Sequence, residues 1–335
     1  MARVAVRAIV VTCAVALVAA VVFALARSTL VVLSLFAAIV VGEGLRPLVN
    51  ALVQRGVPRL AAITVTFLAL LSGLLLVWFI PLRAMIPQAQ ALWGTLPHLI
   101  VPAIAALKGA VPVSGIVGPI AQSFLRVPAQ IGTVFSVFGL MLIMVVFWLD
   151  SAESLEEFIL SLVPANRREP LATLFTEISA NLSAYVIGVI VNGSMVGVES
   201  WAILTFIHAP YAGILGFFQA LVTTIPYLGP AVGMAAVAIV VFAGKGLTSA
   251  AIAVVAVGIM HALQGAFISP VIFKHAVNLD PLLTVVATAI GGALFGVLGI
   301  ILAVPAASIV QTIVIRAVAP AIRDSYTASD AGGGK

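Results

Sequence analysis

The stretch Thr223 to Gly233 reads TTIPYLGPAVG and lies in the most apolar part of a very apolar chain. Pro226 and Pro230 flank Tyr227 and Gly229. Each proline removes a backbone donor, and its ring collides with the carbonyl four residues back, so the pair breaks a helix. In hydrocarbon, freed backbone groups must find partners inside the protein or face a wet cavity. The apolar flanks are about 15 residues before and about 12 after. At ~1.5 Å per residue neither easily crosses a layer ~30 Å thick. The spacing favours the tip of a re-entrant hairpin over a surface turn between two ordinary helices. Tyr227 and the carbonyls near Thr223 and Ile225 are then expected to face a cavity.

Composition sets the class around this stretch. The chain has 335 residues, 63% hydrophobic and 8% charged. A soluble domain carries about 25% charged residues. With 16 basic and 11 acidic residues the chain cannot cover a soluble surface of its size. The expected fold is all-α, a polytopic membrane protein with about eight transmembrane helices and broken or re-entrant helices in its C-terminal half. The apolar runs do not split into short alternating strands, which argues against a barrel. The basic residues are scattered singly, which suits membrane topology and not a nucleic-acid partner. The one cysteine, Cys13, has no partner for a disulfide or a metal site. The N-terminal run resembles a leader, but its apolar stretch from Ala8 to Ala26 is long for one, and a kept helical hairpin is expected.

The apolar segments read as Ala8–Ala26, Thr29–Val41, Leu60–Ile80, Ile131–Leu149, Tyr185–Ile207, Tyr211–Ile225, Ala231–Phe242, Leu247–Ile268 and Leu282 to about Val318. They divide the chain into an N-terminal membrane region (1–149), two amphipathic cytoplasmic helices (150–184), a C-terminal transport region (185–320) and a disordered tail (321–335). Gly42–Arg59 reads as a polar loop with Arg46, Arg55 and Arg59 against Glu43. Together with Arg3, Arg7, Arg316 and Arg323 it places both termini in the cytoplasm. The segment 81–130 carries seven prolines and is expected outside, as short amphipathic helices. In 150–184, Ser154 and Glu157 have the spacing of a capping box, with a break near Val163–Asn166. This pair of helices reads as a solvated hairpin, with a partner-docking or gating role as the sharper alternative.

A second glycine-rich run, IGGALFGVLGIILAVPAA from Ile290 to Ala307, holds Gly292, Gly296 and Pro305. The GxxxG spacings at Gly193–Gly197, Gly229–Gly233 and Gly292–Gly296 serve close helix packing. Four glycines and a proline in the last run would also fit a second break. Few polar side chains lie within the apolar runs. Glu199 is the deepest carboxylate, with Asn192 behind it on the same helix; an intramembrane charge costs roughly 3 kcal/mol and marks a site. His261 and Gln264 share a face by their spacing, and Gln219 precedes the proline turn. For each, an interhelical hydrogen bond or a headgroup-level position is the structural alternative. The pathway candidates are therefore Glu199, Asn192, Gln219, Pro226, Tyr227, Gly229, Pro230, His261, Gln264, Gly292, Gly296 and Pro305. No catalytic constellation, metal-ligand cluster, phosphate-binding loop or cofactor motif is present in the sequence, so no enzyme and no cofactor are expected.

IPYLGP at Ile225–Pro230 resembles the PYxGP element of the autoinducer-2 exporter family. Downstream, SPVIFKHAVNLDPLLTVVATAIGGALFGVLGIILAVPAA is similar to that family's C-terminal pattern. The matching positions are Pro270, Lys274, Leu279, Pro281, Gly291, Gly292, Leu294, Phe295, Gly296, Gly299 and Pro305. The resemblance covers nearly the whole chain. It implies a multi-pass protein of the bacterial cytoplasmic (inner) membrane, a secondary transporter whose partners are lipid and a small-molecule or ion substrate, with a homo-oligomer left open. Some relatives are linked to export of autoinducer-2, a small polar solute; others are linked to exchange of sodium or lithium for protons. Relatives often carry a glutamate where Gln264 stands and a histidine where Asp280 stands. A neutral Gln264 cannot carry a proton, so any coupling would fall to Glu199, His261 or Asp280. A membrane scaffold that transports nothing is the third reading, disfavoured by the helix breaks.

Overall fold

The computed structural model describes residues 27–107, 139–226, 228–272, 279–320 and 322. Expectations for Ala8–Ala26, Cys13, residues 108–138, Tyr227, Lys274 and all of the tail but residue 322 lie outside the described residues. Those residues form helices and no strand. In chain order they are α1 (Thr29–Val53), α2 (Arg59–Leu107), α3 (139–162), α4 (Ala165–Phe206), α5 (Ala212–Val222), α6 (Leu228–Leu263) and α7 (Pro281–Ile313). A π turn at Gln264–Ile268 and a short helical end at Ser269–Ile272 continue α6, and a second π turn at Val314–Val318 continues α7. Five of these helical stretches are long and apolar enough to cross a membrane. Large aliphatic side chains such as Leu76, Leu263 and Val297 face outward along them, as a surface solvated by lipid requires.

Two long helices fold back on themselves. In α6, Gly246 has φ 80° and ψ −179°, a region open to glycine alone at low cost. A Cβ added at Gly258 would lie 4.0 Å from Met234 Cε; in a straight helix these residues would stand ~36 Å apart. In α7, Gly296 has φ 64°. A Cβ at Gly291 would lie 2.4 Å from the Gly299 carbonyl oxygen, where a straight helix would separate the two by ~12 Å. So α6 and α7 are both helical hairpins. Their first arms, 228–245 and 281–295, are about 27 and 22 Å long, short of a ~30 Å layer, whereas the second arms, continued by the π turns to Ile272 and Val318, reach ~30 Å or more. The apparent length of α7 as one span therefore overstates its reach.

Several expectations are corrected. α1 does not stop at Val41 but runs to Val53, through the segment read as a polar loop. Its charges are tolerated because they pair with other helices, as described below. α2 continues through Pro81, Pro87, Pro97 and Pro102 to Leu107, not as separate short helices. Each proline forfeits one backbone bond, and the turns between them keep the helix going. α3 runs unbroken past Ser154, so Ser154 and Glu157 cap nothing. The chain breaks at residues 163–164, and α4 then carries the second amphipathic stretch directly into the fifth apolar run.

The bundle has two distinct ends. One, the charged end, gathers the last turns of α1, the first of α2, the second half of α3, the first half of α4 and the end of α7. Arg316 Nε there donates to Glu177 Oε2 at 2.8 Å, and Asn181 Nδ2 donates to Thr312 Oγ1 at 3.2 Å. At the far end, the loop Ile207–Tyr211 meets the tip of α6: a Cβ at Gly244 would lie 2.8 Å from Pro210 Cγ. α5 starts at that loop with Tyr211 left-handed and no side-chain cap of its own. Gln88 of α2 supplies one, its Oε1 accepting from Gly213 N at 3.1 Å and Ile214 N at 3.4 Å. Orphan amides at a helix start are thus satisfied from another helix.

Candidate functional site

α5 descends about 16 Å from the far end before the chain turns. The turn then joins α5 to the first arm of α6 so tightly that glycine is required. A Cβ at Gly229 would lie 2.0 Å from the Val222 carbonyl oxygen, and one at Gly233 1.9 Å from Gln219 Oε1. The Ile225 carbonyl, expected to be free, accepts from Gly229 N at 2.9 Å, and the Pro226 carbonyl accepts from Leu228 N at 2.7 Å. The prolines end one helix and start another without leaving these oxygens bare. What faces the interior at this depth is side-chain amide.

Gln219 is completely buried. Its Oε1 pairs with His261 Nε2 at 3.3 Å, across from α5 to the second arm of α6. With the amide in this orientation its oxygen accepts, and the imidazole donates from Nε2. Gln219 Nε2 has no hydrogen-bond partner among the described residues; exchanging the amide's two ends would leave its oxygen unpaired instead. Gln264, three residues beyond His261 at the start of the π turn, is 3% exposed, and its Nε2 is also without a partner. Asn192 on α4 is buried with its Oδ1 unpaired. It adjoins Gly193, where a Cβ would lie 3.0 Å from the Ala220 carbonyl oxygen of α5. Buried polar atoms are nearly always paired, so three orphaned amide atoms on α4, α5 and the π turn that continues α6 are an anomaly that points to missing partners.

Glu199 is half-buried and makes no hydrogen bond or ion pair with a described residue. The next residue, Ser200, reaches Met260 Sδ at 3.6 Å, so this part of α4 lies against the second arm of α6. The glycines of α4 carry out the packing read from their spacing. Gly197 faces Trp78 of α2 and Ala220 of α5, and Trp78 stands edge-on to Phe217 with centroids 5.3 Å apart. Gly292 and Pro305 lie on the two arms of α7, and Gly296, expected to serve close packing, is its turn, where a Cβ would meet nothing within 4 Å. That hairpin packs on α1 and the first half of α4, where Val304 joins Val40, Leu182, Tyr185 and Val186. Asp280 caps it, its Oδ1 accepting from Leu282 N at 2.8 Å.

Sequence reasoning missed a third group, at the charged end. Glu43 of α1 is 5% exposed. It accepts from Trp148 Nε1 at 2.9 Å, from the Ser179 hydroxyl and from Arg46 at 3.3 Å. Arg46 also donates to Glu156 at 3.0 Å. Beside them Arg59 pairs with Glu153 and donates to the Leu149 carbonyl, and Asn50 donates to Glu153 at 3.3 Å. The Arg59 guanidinium, bonded to Glu153, holds that carboxyl below its ordinary range. The network ties together α1, α2, α3 and α4. The signal for it was the run Gly42-Glu43-Gly44, an acid between two glycines. A Cβ at Gly42 would lie 2.5 Å from Trp148 Cδ1, and one at Gly44 2.5 Å from Val186 Cβ. The missing side chains let two helices close over the carboxylate. Among the described residues no group of His, Cys, Asp or Glu could hold a metal ion.

A protein-family model described as AI-2E family transporter matches residues 10–319. The chain is 34% identical over 158 residues to "Putative transport protein YueF" of Bacillus subtilis (strain 168), covering 47% of this chain and 42% of that one. It is 25% identical over 177 residues to "Putative transport protein YrrI" of the same organism, covering 52% of this chain and 49% of that one. The similarity thus spans less than half the length of each of these relatives. With its helical hairpins, its lipid-facing surface and a match over nearly its whole length, this multi-pass membrane protein belongs to the AI-2E family of transporters.

Proposed function

We propose that the chain is a secondary transporter of the bacterial inner membrane that exports a small, uncharged polar solute such as autoinducer-2. The observation that carries this reading is the set of unpaired amide atoms of Asn192, Gln219 and Gln264, buried on α4, α5 and the π turn that continues α6. They offer donors and an acceptor but no charge, which suits a neutral solute bearing hydroxyl or carbonyl groups. Short, broken helices beside a polar site are the way secondary transporters keep irregular backbone inside the membrane. The half-buried Glu199 favours a second reading, exchange of sodium or lithium for protons, because it is the one carboxylate on this part of α4.

Flux into proteoliposomes separates the two. Gln219→Leu removes the amide at equal volume and should cut autoinducer-2 flux by about tenfold or more, since a site built on hydrogen bonds discriminates strongly when they are lost. Glu199→Gln keeps volume and hydrogen bonding but loses the charge. If Glu199→Gln abolishes sodium flux driven by a pH gradient, and Gln219→Leu leaves autoinducer-2 movement unchanged, the exchange reading replaces the first.

The charged end is assigned to the cytoplasm, because Arg46, Arg55, Arg59 and Arg316 cluster there. Single cysteines at Ser151, on that end, and at Lys245, beside the α6 tip, should then react with a membrane-impermeant thiol reagent from opposite sides, Lys245→Cys from outside the cell. Reaction of both variants from one side would reject this orientation.

A further inference from the structure

We propose that Tyr185 is a second solute station, a hydroxyl site between α1, α4 and the α7 hairpin that receives an uncharged, hydroxyl-bearing solute between the amide cluster and the charged end. The inference rests on the transport reading above and adds a site to it. Tyr185 is 7% exposed, and its phenolic oxygen has no hydrogen-bond partner among the described residues. A buried, orphaned hydroxyl costs about 1–3 kcal/mol, and phenylalanine would fill the same space without that cost. Ser34 of α1 repeats the anomaly, 3% exposed with its Oγ unpaired. α1 runs toward the charged end and α4 runs away from it, held side by side where Ser183 donates to the Gly44 carbonyl at 3.3 Å. Ser34, about three turns back along α1, therefore lies further along α4 than Tyr185, about level with Asn192.

Tyr185 and Asn192 are two turns apart on α4, so they share a face about 10.5 Å apart along the axis. Both have an unpaired polar atom. Tyr185 packs with Val40, Leu182, Val186 and Val304, all apolar. An ion there would lose its hydration with no counter-charge in return. A neutral hydroxyl or carbonyl group would find in the phenol a partner that both donates and accepts. Val304 brings the second arm of α7 over the site, and Asn181 anchors that arm to α4 through Thr312.

Two measurements on the reconstituted full chain test this. Tyr185→Phe removes one oxygen atom. It should melt no lower than the wild type, because an orphaned hydroxyl is lost, yet carry ribose, a neutral hydroxylated probe, about tenfold more slowly, as expected when a hydrogen-bonding site loses its partner. In a Cys13→Ser background, Tyr185→Cys should react about tenfold faster with neutral 2-hydroxyethyl methanethiosulfonate than with its trimethylammonium analogue, the charge being excluded by the apolar walls. Val186→Cys, from the same cluster, should react with neither. Equal reactivity of the Tyr185→Cys and Val186→Cys variants, or no preference for the neutral reagent, overturns the station. So does a Tyr185→Phe variant that melts lower and carries ribose at the wild-type rate, which is the behaviour of a tyrosine satisfied by a structural water. Selective labelling without ribose flux in the wild type supports the station and counts against transport of this kind of solute. Ribose flux that Tyr185→Phe leaves unchanged counts against the station alone.

Discussion

Gly299→Val should unseat the α7 hairpin and lower the melting midpoint in detergent more than any other single glycine substitution in that helix. A Cβ at this position would sit 2.0 Å from the Gly291 carbonyl oxygen and 2.7 Å from Phe295 Cβ. The obstacle is backbone on one side and a neighbouring turn on the other, so no side chain can swing away. The two arms must separate, at a cost at or above the upper end of the ~1–3 kcal/mol typical of overpacked cores. Gly296→Ala provides the contrast. A Cβ there meets nothing within 4 Å, but the backbone is left-handed at φ 64°. With ψ −144° this is backbone that is essentially glycine's alone, and the cost of the substitution is conformational strain, about 1–3 kcal/mol. The expected order is therefore Gly299→Val well below Gly296→Ala, and Gly296→Ala below the wild type. A Gly299→Val protein that melts with the wild type would mean the arms of α7 do not touch at Gly291.

Glu43→Leu should be the most damaging change at the charged end. The carboxylate holds the Trp148 indole, the Ser179 hydroxyl and one side of Arg46 in a site sealed by Gly42 and Gly44. Removing one member of a buried ion pair costs about 3–5 kcal/mol, because the other is left charged and uncompensated. Arg46 keeps Glu156, which places the expected loss toward the lower end of that range. Glu43→Gln retains an acceptor for Trp148 and should lose only about 1–2 kcal/mol. The double variant Glu43→Leu/Arg46→Leu separates charge from packing. Apolar replacement of a buried pair is often close to neutral, and the Glu156 that loses Arg46 is 25% exposed and can turn to water, so the double variant should melt above Glu43→Leu alone. Equal melting of Glu43→Leu and the wild type would make the network a bystander in holding α1, α3 and α4 together.

Some of the site was legible early because its signal is local. Gln219, His261, Gln264 and Asn192 stood out as polar residues inside apolar runs; the structure pairs Gln219 with His261 and leaves buried amide atoms of Gln219, Gln264 and Asn192 without a partner among the described residues. Gly292, Gly296 and Pro305 stood out equally, yet they belong to a different place, the α7 hairpin against α1 and α4. Tyr185 gave no signal, since an aromatic residue at the start of an apolar run is unremarkable until its hydroxyl is found without a partner.

The sequence by itself determined that this protein is an all-α membrane protein of the AI-2E family with its helices broken in the C-terminal half. So few charges cannot cover a soluble surface, and Pro226 with Pro230, set in short apolar flanks, marks a helix boundary. Those properties depend on composition and near neighbours. Only the tertiary structure decided where the chain goes after each break, that α2 continues through four prolines, and that Glu43 is an interior partner and not a loop charge. Each of these turns on contacts between residues far apart in sequence, such as Gln219 with His261 or Glu43 with Trp148 and Ser179. A glycine that permits a reversal also permits a straight helix. The choice between them is made by what packs on the other side, which no local pattern records.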